Sequence, residues 1–241
     1  SLKRLGRPHT AQQARTALEA AHAAGFENLS GDIMMALPNY SRDEFDETMK
    51  LIAESGAVHI SAYLLKIEAG TPFGLHPPDG LPTEDESADF YLYAVDQLEK
   101  AGFVQYEISN FARPGYEGRH NLIYWNCENY LGLGPAAHSC IQNRRFYYAN
   151  HLADFMHGQC TLKEEGVCDV SDYIILQLRL RSGLNLKKLK KLYGVVFSPR
   201  QMKFIEQCSR AGYAALQGDV LALTPTGLII QNSILRELLE K

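Results

Sequence analysis

Three places in the 241-residue sequence carry side chains suited to binding chemistry. Asp32 interrupts the apolar run LSGDIMMALP. A carboxylate inside such a strand needs partners, because burying it alone is costly. A ligand diol, an Arg or a backbone amide would each supply them. At the carboxyl side of a parallel strand it would sit where α/β proteins place ligands. LGRPHT sets Arg7 and His9 ahead of the first expected helix. A guanidinium there can clamp a carboxylate through two hydrogen bonds, or it can be a solvated loop charge. HNLIYW sets His120 beside Tyr124 and Trp125. Neutral imidazole can ligate haem iron, and flat aromatics can pack a macrocycle. Equally, the imidazole can hydrogen-bond a loop while the two aromatics pack in the ordinary way.

Other candidates are weaker. Lys187, Lys188, Lys190 and Lys191 read as the solvated face of a short amphipathic helix. Gly132-Leu133-Gly134 lacks the Lys of a phosphate loop. The cysteines at 127, 140, 160, 168 and 208 form no CxxC or CxxxCxxC, so no compact zinc or iron–sulfur motif is present. An odd count of unclustered thiols fits a reducing compartment, and the cytoplasm is the expectation.

These residues need a scaffold, and the composition allows one. The chain is 46% hydrophobic and 22% charged, and a chain of this size buries about 70% of its unfolded surface. The net charge of −4 gives no general attraction to nucleic acid or anionic membrane. No apolar run reaches the ~18 residues of a membrane-spanning helix. The first residues, Ser1-Leu2-Lys3-Arg4, hold neither Met nor the apolar core of a signal peptide. The sequence therefore reads as if it opened in mid-protein.

The first half alternates helix and strand. Residues 10–24 form an Ala-rich helix capped at Thr10, and 29–37 a strand. A capping box at Ser41–Glu44 opens a helix with Phe45, Met49 and Ile52 inward, and 58–65 is a second strand. A second box, Thr83–Glu86, opens a helix to 101 with Phe90, Val95 and Leu98 inward. Residues 103–108 follow as a third strand. This alternation predicts parallel βα units. Residues 110–149 are dense in Gly, Asn and Tyr and are expected to be irregular, before a short helix at 150–157. Helices are then expected at 171–181, 185–193 and 198–211. A hairpin over 213–223 turns at Gly218-Asp219, and a last helix spans 226–239. Residues 166–241 carry a net +5 and residues 1–165 a net −9, which suggests a boundary near 165 and a winged-helix-like module after it.

Together the motifs resemble the radical S-adenosylmethionine (SAM) proteins related to oxygen-independent coproporphyrinogen III oxidase. Seven blocks carry the likeness in order: 5–10, 31–38, 59–73, 106–115, 120–125, 131–139 and 172–228. HNLIYW resembles the signature of the family's haem-chaperone branch. The resemblance implies an α/β fold, a partial (β/α) TIM-type barrel over 1–165 followed by a small winged-helix-like α+β domain over 166–241. It implies SAM and a [4Fe–4S] cluster at the carboxyl ends of the barrel strands. Arg7, Asp32, Lys66 and His138 match SAM-lining positions, and His120 matches the haem-ligating position, with Tyr124 and Trp125 beside it.

The sequence also departs from the family. It holds no CxxxCxxC loop, so by itself it is expected neither to bind the cluster nor to cleave SAM, and no catalytic residue is assigned. Gly31 and Ala36 stand where the family has a larger apolar residue and a Gly, and Asn39-Tyr40-Ser41 replaces the usual turn. The resulting expectation is a C-terminal portion of a haem chaperone with haem or porphyrin as ligand. Haem-accepting proteins are the expected partners, and membrane association is expected only through a partner. An open barrel edge should favour self-association. One alternative is an oxygen-independent coproporphyrinogen III oxidase. Another is a winged-helix regulator reading DNA through Arg200, Lys203 and Arg210, which the acidic first part would oppose.

Overall fold

The computed structural model describes residues 1–240. The chain is α/β and forms two compact units, Ser1–Gly118 and a second starting at Arg119. The 165/166 boundary expected from charge is a division of sequence character inside the second unit.

The first unit contains α1 (Ala11–Ala23), β1 (Ser30–Met35), α2 (Arg42–Glu54), β2 (His59–Leu64), α3 (Pro72–Leu75), α4 (Glu84–Lys100), β3 (Val104–Gln105) and β4 (Asn110–Ala112). Two of the long helices start on reciprocal caps. Thr10 accepts from the Gln13 amide and Gln13 accepts from the Thr10 amide; Thr83 and Glu86 do the same. Helix α2 has only half of the expected box. Ser41 accepts from the Glu44 amide at 3.1 Å. The Glu44 carboxylate instead takes the Arg4 guanidinium at 3.9 Å.

Four strands form one sheet in the order β1-β2-β4-β3. β1 and β2 are parallel, pairing Gly31 with Ile60 and Asp32 with Ser61. The third strand is not the simple parallel addition predicted for 103–108. Only β3 pairs there; the chain then turns, and β4 returns antiparallel to both β2 and β3 and lies between them. Polar groups fix this turn. Glu107 Oε1 accepts from the Ser109 amide at 2.9 Å and from Asn110 Nδ2. Gln105 Nε2 donates to the Tyr91 hydroxyl at 2.7 Å, which donates to the Ile108 carbonyl at 2.8 Å.

The core lies on one face of the sheet. Ile33, Met35, Ile60, Ala62 and Phe111 meet Phe45 and Ile52 of α2 and Tyr91, Val95 and Leu98 of α4. Each large apolar side chain buried there contributes about 1.5–3 kcal/mol. Gly31 explains how closely α2 packs, because a Cβ at that position would come within 2.6 Å of Ile52.

The second unit contains α5 (Arg119–Trp125), β5 (His138–Ile141), β6 (Arg144–Tyr148), α6 (Leu152–Met156), β7 (Leu162–Val167), α7 (Val170–Gln177), β8 (Leu184–Asn185), α8 (Leu186–Tyr193), α9 (Pro199–Arg210), β9 (Ala214–Gln217), β10 (Val220–Leu223), α10 (Pro225–Ile229) and α11 (Gln231–Leu239). The region expected to be irregular is therefore partly ordered. β5, β6 and β7 make an antiparallel sheet, and β8-β10-β9 make another. The predicted hairpin is present, pairing Val220 with Gln217. The last helix is two helices, interrupted at Ile230, where φ is −101° and no side chain caps the second.

Candidate functional site

The first group of candidates surrounds the sheet face opposite the core. On β1, side chains alternate, so Gly31, Ile33 and Met35 are buried while Ser30 and Asp32 are exposed. Asp32 thus corrects the expectation of a buried carboxylate: it lies on the open face, and water solvates it. Its neighbours follow from register. Asp32 pairs with Ser61, and Ser61 pairs with Asn110 on β4, which places these three residues in one row across the sheet. The next row begins Ser30–His59.

Two other candidates border the same end of the strands. Backbone bonds from Leu5 to Ser1 and from Arg7 to Leu2 fold residues 1–7 into a compact loop. The Arg4–Glu44 ion pair ties that loop to the first turn of α2, just past the carboxyl end of β1. Arg7 is exposed there. Lys66 follows β2, whose end is held by the Leu65 amide donating to the Met35 carbonyl at 2.8 Å. Lys66 is exposed and pairs with Glu68 at 2.7 Å.

Residue-by-residue reading of the sequence missed a hydrogen-bonded chain on this face. Ser30 Oγ lies 2.7 Å from His59 Nδ1, and His59 Nε2 lies 3.0 Å from the Tyr106 hydroxyl. Burial pushes the His59 pKa down, and the pull of Asp32 in the other direction does not offset it. A usable signal was available: polar residues recur with period two at 30 and 32 on one strand and at 59 and 61 on the next.

The second group lies in the unit that begins at Arg119. Helix α5 carries His120 and Tyr124 one turn apart, on one face. The Tyr124 hydroxyl is 2.5 Å from His120 Nε2, with the rings edge-on at 4.8 Å. Tyr130 stands edge-on to Tyr124 at 4.5 Å and is anchored by its backbone pairing with Cys140. Trp125 follows the ordinary-packing reading of the motif. The Arg179 guanidinium lies over its ring at 4.7 Å, and its carbonyl accepts from Gln177 Nε2 at 2.9 Å. It is therefore engaged in packing α5 against α7.

His138 on β5 is exposed. Its Nδ1 lies 2.8 Å from Glu165 Oε2, and its ring stacks on Tyr147 at 4.7 Å. All five cysteines are free thiols. Burial, followed by the neighbouring Cys168, pushes the Cys127 thiol up to about 12. That thiol is protonated at neutral pH. Among the described residues no three His, Cys, Asp or Glu side chains converge as metal ligands would, so they do not themselves supply a ligand set for a [4Fe–4S] cluster.

Comparison with known proteins defines the class. Residues 170–230 match the HemN C-terminal domain. The fold superposes with a TM-score of 0.78 on the structure titled coproporphyrinogen III oxidase (HemN) from Escherichia coli is a Radical SAM enzyme, covering 98% of this chain and 60% of that one at 17% identity. The chain is thus HemN-like in fold. Its sequence is 33% identical to Heme chaperone HemW of Lactococcus lactis over 80% of this chain and 55% of that protein. It is 31% identical to Heme chaperone HemW of Mycobacterium tuberculosis H37Rv over 99% of this chain and 62% of that protein. The chain therefore belongs to the family of these HemW proteins: it is HemW-like. It spans between 55% and 64% of the length of the first three HemW relatives.

Proposed function

We propose that this chain is the haem-binding portion of a radical-SAM haem chaperone, with haem as cargo passed to a recipient protein. One observation carries the reading: a HemW-like chain presents, on α5, an exposed imidazole hydrogen-bonded to a half-buried phenol that Tyr130 backs. An exposed nitrogen or oxygen donor beside aromatic edges is what an iron macrocycle requires.

In this reading Arg7, Asp32 and Lys66 of the first unit contact SAM, which supplies radical chemistry only alongside a cluster. The parallel β1–β2 pair covered by α2 and α4 supports a portion of a (β/α) barrel in the first unit. Helices α7, α8 and α9 followed by the β9–β10 hairpin and α11 support a winged-helix-like module over 166–241. Three of its cations, two of them on α9, are held in ion pairs. Arg200 pairs with Glu237 and Glu240, Arg210 with Glu206 and Lys187 with Asp219, which favours a protein or haem partner over nucleic acid. Free thiols and the lack, among the described residues, of a helix long and apolar enough to cross a membrane fit a cytoplasmic setting, with any membrane contact made through a partner.

Titration of the 241-residue chain with Fe(III) protoporphyrin tests this. A saturable Soret shift is expected, weakened about tenfold or more in His120→Ala. Equal shifts and equal affinity in the two would remove His120 from the site.

A further inference from the structure

Helix α5 carries its two candidate ligands as a pair. Nε2 is the imidazole nitrogen farther from the backbone, and so the one a flat macrocycle reaches with least obstruction. In His120 that atom is occupied by the Tyr124 hydroxyl at 2.5 Å. The nitrogen left over, Nδ1, sits beside the helix backbone. An iron approaching Nε2 must first displace the phenol. An iron approaching the phenol oxygen finds a base, His120 Nε2, within hydrogen-bond reach of the phenol proton. Tyr124 is also held in place from its other side by the edge of Tyr130. Phenolate is an established haem ligand, and as a hard oxygen donor it matches ferric iron better than ferrous iron.

We infer that Tyr124 is the axial ligand to ferric haem and that His120 is the positioning residue that accepts its proton. This rests on the haem-binding reading above and assigns the roles within it. The step balances without redox change: the Tyr124 O–H bond breaks, an Fe(III)–O bond forms, and the proton passes to His120 Nε2. The iron remains ferric, and the imidazolium stays hydrogen-bonded to the ligating oxygen. Partners of this kind orient a ligand and tune its donor strength, and their loss costs about 10- to 100-fold in affinity.

The test uses hemin with the 241-residue chain, comparing wild type, Tyr124→Phe and His120→Gln, each checked by thermal melting for an unchanged fold. Resonance Raman excited in the phenolate-to-iron charge-transfer band reads the ligand directly. Wild type should show enhanced tyrosinate ring vibrations with a high-spin ferric signal. Tyr124→Phe should lose those vibrations and bind at least about tenfold more weakly. His120→Gln should keep them, shifted in frequency, with affinity lowered about 10- to 100-fold. A low-spin imidazole-type signal that survives in Tyr124→Phe and vanishes in His120→Gln would overturn the assignment while leaving haem binding intact. Failure of the wild-type chain to bind hemin would instead overturn the haem-binding reading, and this assignment with it.

Discussion

His59 is held where a proton is costly. It is buried on the sheet between Ser30 and Tyr106, and burial lowers its pKa below the ordinary 6.5. The unfolded imidazole protonates near that value and the folded one only at lower pH. Stability is therefore full above about pH 6.5 and falls as pH drops through the folded pKa. Urea midpoints measured from pH 7.5 to 5.5 should fall for wild type and fall less for His59→Gln; parallel curves would contradict this. Ala36 is a second strained residue, with φ at 56° in the left-handed region. That is the physical reason the family's Gly suits this position. Ala36→Gly should stabilise the chain by about 1 kcal/mol, the relief of left-handed strain outweighing the added freedom of the unfolded Gly; an unchanged or lowered midpoint would show the strain is absent. At this scale the sequence identified residue types better than environments. Asp32 was recognisable as an odd residue in its strand, but its exposure depends on which sheet face the helices cover. Trp125 was recognisable as aromatic, but its partner Arg179 is 54 positions away.

Helix α4 shows how far local chemistry reaches. Its cap is reciprocal, Thr83 and Glu86 each satisfying the other's amide, and its inward side chains close the core. Thr83→Ala should cost about 1 kcal/mol in urea denaturation, and Thr83→Ser should restore most of it; equal stability in all three would show the cap is inert. Such caps made α1, α4 and α9 legible from the sequence, because the residues that interact lie three apart. β4 and β7 were not legible, for two different reasons. β4 is three residues long and is defined by the buried turn before it. β7, with sequence LKEEGV, is exposed at every position and so carries no apolar alternation. It pairs with β6 through its backbone, which any sequence without Pro can do.

In the molecule as a whole, the first unit leaves one sheet edge open. Among the described residues β1 is paired on one side only, and the face beside it carries Asp32, Met34 and Tyr63 rather than a covering layer. An unpaired edge is a template for another strand. Light scattering should therefore give a mass above that of one 27.0 kDa chain at high concentration, reduced by a Lys placed at Met34; a monomer at every concentration would contradict the argument. The second unit carries the central claim, since α5 and its His120–Tyr124 pair belong to it. The most direct test is a Soret titration of the 241-residue chain with Fe(III) protoporphyrin, comparing wild type with the double variant His120→Ala/Tyr124→Phe. Saturable binding is expected in wild type, with a loss of about 100-fold or more in the double variant at unchanged melting temperature. The same Soret shift and affinity in both would contradict it.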